Sequence, residues 1–155
     1  MYLAIVIALM GFLPVASSVG ELVVHRGADV LFVIARWFVF WSVGVRLLMA
    51  GLRQVVNPTF TAATIFGSND KAALPIVREL GFGNLSIGLL GALAVLVDDW
   101  VVPAAFAGGL FYGLAGLQHA LKGERNAAET IAMVSDLLLF LVLAVDLGAI
   151  ALRRL

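Results

Sequence analysis

The chain has 155 residues, of which 63% are hydrophobic and 13% charged, and its ten basic and ten acidic side chains balance to zero. With a mean hydropathy of +1.08, it lies far to the apolar side of a soluble domain, which places it in a membrane, and the neutral balance argues against nucleic acid as a partner. The absence of cysteine excludes disulfides, thiolate metal sites and Cys-ligated iron–sulfur clusters, so no resident cofactor or metal is expected.

A spanning helix needs about 20 apolar residues, and residues 2–24 supply a first one, with Pro14 expected to kink it. A cleaved signal peptide, with Val15-Ala16-Ser17 as the small-residue context, is the rival reading, weakened by the missing basic n-region. His25-Arg26-Gly27 turns the chain, and Asp29 stands where the positive end of a second helix favours an acid. That helix covers residues 28–53, with Trp37 and Trp41 on one face, either packing or lining a ligand pocket. The connection over 54–75 breaks at Asn57-Pro58. Thr59, Phe60, Thr61, Ala62, Ala63, Ile65 and Phe66 then suggest a short interfacial amphipathic helix, serving as a lid or simply covering the bundle.

The third span is expected over 76–97, beginning as a pre-helix around Pro75 and carrying Asn84, Gly88 and Ala92 as a smooth ridge. After Asp98-Asp99 the fourth covers 100–121, with a ridge of Ala105, Gly109, Gly113, Gly116 and Ala120. Small residues let helices approach closely in lipid. The ridges therefore suggest a close hairpin of spans three and four, or an oligomer contact through the glycines of span four. Lys122-Gly123-Glu124-Arg125 leads into the fifth span, 127–151, which Asn126 and Glu129 can open as a capping box. The fold class is thus all-α integral membrane, a single domain with five transmembrane helices.

The charges inside the apolar stretches form a pattern. Span two carries Arg36, Arg46 and Arg53, and span five carries Glu129, Asp136 and Asp146, so spacings of ten and seven return as seven and ten. Two antiparallel helices would match them as a ladder: Arg36 with Asp146, Arg46 with Asp136, Arg53 with Glu129, unless Glu129 is taken up in capping its own helix. An ionised side chain at mid-membrane costs about 2.5–3.5 kcal/mol, which pairing offsets. Such pairs either fix register alone, or one of them, Arg46 and Asp136, faces a cavity and binds a polar head group or relays a proton. Further candidates for ligand binding are Tyr112 with His119, seven residues apart on one face, and Glu79 with Asn84 at the start of span three. Interfacial snorkelling is the plainer role for His119. No Ser-His-Asp order, paired metal-ligand motif or phosphate-binding glycine loop is present, so no catalytic residue is assigned.

Arg53, Lys71, Arg78, Lys122 and Arg125 fall at one end of the spans, against Arg26, Arg153 and Arg154 at the other. The excess of basic residues places the N-terminus in the cytoplasm.

The segments Arg36-Trp37-Phe38, Gly44-Val45-Arg46-Leu47-Leu48, Ala50-Gly51-Leu52-Arg53-Gln54 with Asn57-Pro58, Arg78-Glu79-Leu80-Gly81-Phe82, Asn84-Leu85, Gly108-Gly109-Leu110-Phe111-Tyr112-Gly113, His119 and Ile131-Ala132-Met133-Val134-Ser135-Asp136 carry a resemblance. They resemble an uncharacterised family of small bacterial multipass membrane proteins, built on a DoxX-like four-helix scaffold with an added N-terminal helix. The resemblance implies a four-helix bundle in the bacterial cytoplasmic membrane, and some DoxX-like members accompany membrane quinone oxidoreductases or oxidative-stress systems. Two functions follow: a non-enzymatic protein that binds a lipid-like or quinone-like molecule or serves as accessory subunit, or a small proton-coupled carrier using Arg46 and Asp136. Partners would be membrane lipids and a larger membrane complex or a second copy of the chain.

Overall fold

The computed structural model describes residues 2–64 and 67–153. Its helices are α1 (Leu3–Val24), α2 (Val30–Val56), a short α3 (Pro58–Thr64), α4 (Ala73–Leu93), α5 (Val101–Leu121, entered through a 3₁₀ turn, Asp98–Trp100) and α6 (Ala127–Leu152). Five of them, all but α3, are long and apolar enough to cross a membrane. The expected residues Ile65, Phe66 and Arg154 lie outside the described residues.

Local chemistry explains the boundaries. Asp29 caps α2, its Oδ1 accepting from the amides of Leu31 and Phe32 at 3.0 and 3.4 Å, which satisfies donors the first turn cannot pair internally. Asn126 and Glu129 open α6 as a reciprocal capping box. The third span is a single helix and ends earlier than expected, at Leu93. No separate pre-helix exists, because Pro75 sits in the first turn, where its missing N–H costs nothing. Two stretches are wound more widely than an α-helix, with i→i+5 bonding: Ala8–Phe12 in α1 and Val39–Val45 in α2. The first contains Met10, whose carbonyl the ring of Pro14, four residues on, would crowd in a regular turn.

Glycines decide which helices touch. A Cβ on Gly44 would lie 2.6 Å from the Ala92 nitrogen, on Gly51 2.7 Å from the Gly81 oxygen, and on Gly88 2.7 Å from the Leu48 nitrogen. The α4 ridge is therefore pressed backbone to backbone on α2. On α5, a Cβ at Gly113 would meet the Phe140 ring at 2.8 Å and one at Gly116 the Leu137 side chain at 2.8 Å, while Gly108 faces Val43. The expected seam of spans three and four is thus replaced by two seams, α4 on α2 and α5 on α6. The reason is complementarity: α2 presents Gly44 and Gly51 to α4, a second small-residue surface that lets the backbones close. Val39, Val43, Tyr112, Leu139 and Leu143 fill the centre, and α1 lies against α2 with Ile7, Phe12, Val15 and Val19 turned outward.

Gly44→Ala is expected to lower stability by about 1–3 kcal/mol through overpacking. Gly83→Ala, with open space around it, should not. Thermal denaturation of the two variants in one detergent checks the difference.

Candidate functional site

At the centre of the bundle, Arg46 donates from Nη2 to Asp136 Oδ1 at 2.8 Å and to Ser135 Oγ at 3.1 Å. Its guanidinium carbon lies 4.8 Å from the centroid of the Tyr112 ring, a cation–π distance. Tyr112 in turn donates its hydroxyl to the Ser42 carbonyl at 2.6 Å, and Ser42 Oγ donates to the Leu9 carbonyl at 3.0 Å. Ser42 and Leu9 belong to the two widely wound stretches, so one polar chain joins α1, α2, α5 and α6. Side-chain exposures of 13% for Arg46 and 9% for Asp136 place the pair in a dry setting, where each charge depends on the other.

The register of α2 against α6 has a second fixed point. Asp29 stands seventeen residues before Arg46 and Arg153 seventeen after Asp136, and these two end residues meet, Arg153 Nη1 lying 2.9 Å from both Asp29 oxygens. Arg36 and Asp146 each stand ten residues from the central pair toward these ends, yet the expected Arg36–Asp146 rung does not form. Arg36 bonds Glu21 on α1 through Nη2 and Asp98 through Nη1, the latter at 3.3 Å. Asp146 is 6% exposed, and its Oδ2 is buried with no hydrogen-bond partner among the described residues. The cause is the wide turn at Val39–Val45. In a regular helix ten residues leave Arg36 and Arg46 about 80° apart. A widened turn takes up roughly one extra residue, or about 100°, and puts them on nearly opposite sides.

The expected Arg53–Glu129 rung is also absent. Glu129, 2% exposed, accepts from Lys122 Nζ at 2.5 Å and from the Asn126 amide at 3.1 Å, so its own helix start consumes it. Arg53 is exposed and stacks 3.6 Å over the Phe60 ring of α3. Glu79 and Asn84 do not share a site: Glu79 is exposed, whereas Asn84 is buried and donates to Gln54 Oε1 at 2.7 Å. Tyr112 joins the central chain, and His119 is half-buried on α5.

Trp37 and Trp41 both turn to α1, the indole of Trp37 donating to Glu21 Oε2 at 2.7 Å and that of Trp41 to Ser17 Oγ at 3.0 Å. Trp37, though not Trp41, borders an open groove of about 490 Å³, lined by Ser17, Gly20, Glu21, Val24, His25, Arg36, Trp37 and Val95. A smaller cavity of about 250 Å³ lies at the same end among Asp29, Phe32, Ile150 and Arg153. Neither includes Arg46 or Asp136. Sequence reasoning overlooked Glu21, Ser17 and Asp98. The signal for Glu21 was available, since it is the sole charge in residues 2–24 and intramembrane ionisable residues mark functional positions.

Five apolar spans, with buried ion pairs joining α2 to α1 and to α6, define a multipass helical membrane protein. The chain belongs to the family of unknown function DUF6790, whose model matches residues 1–152. No curated protein and no solved structure matches it.

Asp136→Asn should cost about 3–5 kcal/mol by stranding Arg46 in the core, and exchanging the two charges, Arg46→Asp with Asp136→Arg, should recover part of it in denaturation midpoints. At the membrane edge, the Phe32 amide and then Arg153 hold the Asp29 carboxyl below the usual carboxylate range. A lowered folded-state pKa contributes stability above the ordinary range that is lost as pH falls through the lowered value. A carbon-detected titration should place Asp29 below the free range in the native protein, and Arg153→Gln should move it partway back.

Proposed function

We propose that the protein is a non-enzymatic integral membrane protein that holds a lipid-like or quinone-like molecule in the groove between α1 and α2, by itself or as an accessory subunit of a larger membrane complex. The observation that carries this reading is the groove. Its apolar lining from Val24, Gly20 and Val95 suits a hydrocarbon tail, and Trp37, Glu21, Arg36, His25 and Ser17 offer aromatic and polar contacts. Such a division, apolar walls with a few polar groups that fix orientation, is the usual form of a small-molecule site.

The helices α2, α4, α5 and α6 with α1 laid outside suit a DoxX-like four-helix scaffold with an added N-terminal helix, and by that likeness a bacterial cytoplasmic membrane. Lys71, Arg78, Lys122 and Arg125 all fall at the end opposite the groove, which supports a cytoplasmic N-terminus and a groove near the outer surface. The alternative, a proton-coupled carrier working through Arg46 and Asp136, draws support from the burial of that pair. It is disfavoured because neither cavity reaches them.

Native mass spectrometry of the protein extracted gently from its membrane is expected to show a small hydrophobic adduct, reduced in Trp37→Ala. A bare chain throughout would overturn the binding reading.

A further inference from the structure

Asp146 is an acid that the fold buries without giving it a partner. It is 6% exposed and shares the face of α6 that buries Leu139 and Leu143 in the apolar core. Its Oδ2 accepts no hydrogen bond, and none of the ion pairs among the described residues includes it. The charged groups on the neighbouring elements are engaged elsewhere. On α2, Asp29 holds Arg153, Arg36 holds Glu21 of α1 and Asp98, and Arg46 holds Asp136. On α5, Tyr112 donates to the Ser42 carbonyl and half-buried His119 stands near the Lys122 end, while His25 and Asp99 are exposed. A carboxylate held in apolar surroundings with no cation is strongly disfavoured, whereas the carboxylic acid in the same place carries no charge.

A way to the surface begins one turn from it. Ile150 and Arg153, four and seven residues beyond Asp146, continue its stripe along α6. Both line the cavity of about 250 Å³ that they share with Asp29 and Phe32 of α2. The Asp29–Arg153 ion pair, its two side chains 52% and 56% exposed, marks the outer border of that cavity. Half-buried Ile150 is the α6 side chain between the cavity and Asp146. Four residues of helix rise about 6 Å, so the cavity ends about one turn short of the carboxyl.

We propose that Asp146 is a proton-binding site, a carboxylic acid in the folded bundle that exchanges its proton with water at the Arg153 end through the Asp29–Arg153 cavity. The proton supplies the positive charge that no side chain brings to this acid. The step moves H⁺ alone: water at the surface delivers it to the carboxylate and takes it back, and no other bond forms or breaks. Asp29 and Arg153 are the outer door of the path and Ile150 the inner one. The site lies between α2 and α6, away from the α1–α2 groove, and does not depend on whether that groove holds a ligand.

The test is infrared spectroscopy of the full chain in lipid vesicles, read where protonated carboxyl groups absorb clear of the amide bands. At neutral pH a band is expected that disappears in Asp146→Asn and moves in Asp146→Glu, the second variant making the assignment should the first fail to fold. Transfer to heavy water should shift this band while the backbone amides of the spans stay unexchanged, so that the proton leaves without unfolding. Raising the pH should remove the band reversibly. Ile150→Trp, which fills the cavity, should slow the heavy-water shift, and Arg153→Gln, which opens the outer pair, should hasten it. No Asp146-dependent band at neutral pH overturns the proposal, because the group is then an ionised carboxylate. A band that neither shifts in heavy water nor titrates in the folded protein overturns the exchange. Unaltered rates in both Ile150→Trp and Arg153→Gln overturn the cavity as the path.

Discussion

The widened turn of α2 at Val39–Val45 sets the directions in which the central helix acts. A regular helix would point Arg36 and Arg46 toward the same neighbour. The extra residue in the turn sends Arg46 to α6 and Arg36 to α1 and the Asp98 turn. In the same stretch Gly44 meets the backbone of α4, and Ser42 receives the Tyr112 hydroxyl while donating to α1. One local change of winding therefore gives α2 separate contacts with α1, α4, α5 and α6. In a membrane this is effective, because the hydrophobic effect supplies little attraction between helices, and close backbone approach with internal hydrogen bonding must supply it instead.

The same solvent explains why the polar groups are organised as they are. A backbone carbonyl displaced from the regular ladder has no water to turn to in hydrocarbon. The Ser42 carbonyl is met by a tyrosine hydroxyl, and the Leu9 carbonyl by a serine. Arginine suits the remaining positions because its fork can serve two acceptors at once: Arg46 bonds Ser135 and Asp136, and Arg36 bonds Glu21 and Asp98.

Much of the architecture is legible from the sequence because spans and helix starts are local properties. Apolar length marks the five helices, and the side-chain chemistry of Asn126 with Glu129 marks a helix start. The depth at which charges stand also survives translation into structure, since the count of residues along a helix fixes height almost regardless of winding. Azimuth does not survive. It accumulates every deviation from 100° per residue, so the reading that put Arg36 opposite Asp146 failed at a wide turn that no residue type announces. Partner choice for small-residue ridges is similarly hidden, because a ridge on α4 specifies a close neighbour without saying whether α5 or α2 supplies it. Glu21 is a different case, visible as an isolated charge in an apolar helix and meaningful only once Arg36 is known to turn its way.

The two ends of the bundle are fastened by different materials. At the Lys122 end, beside the Lys122–Glu129 ion pair, the Arg125 side chain donates to the carbonyls of His119, Ala120 and Lys122, and the Asn126 side-chain amide donates to the Thr64 carbonyl, so α3, α5 and α6 are tied together largely by side chains on backbone carbonyls. At the opposite end the ties are side chain to side chain, Arg153 with Asp29 and Arg36 with Asp98, and they are largely exposed. Hydrogen bonds to backbone carbonyls depend little on ionic strength, whereas exposed ion pairs weaken as salt screens them. The α1–α2 groove lies at this second end, and Arg36, which lines it, takes part in the tie to Asp98, so the groove's border shares a contact that the surrounding electrolyte weakens.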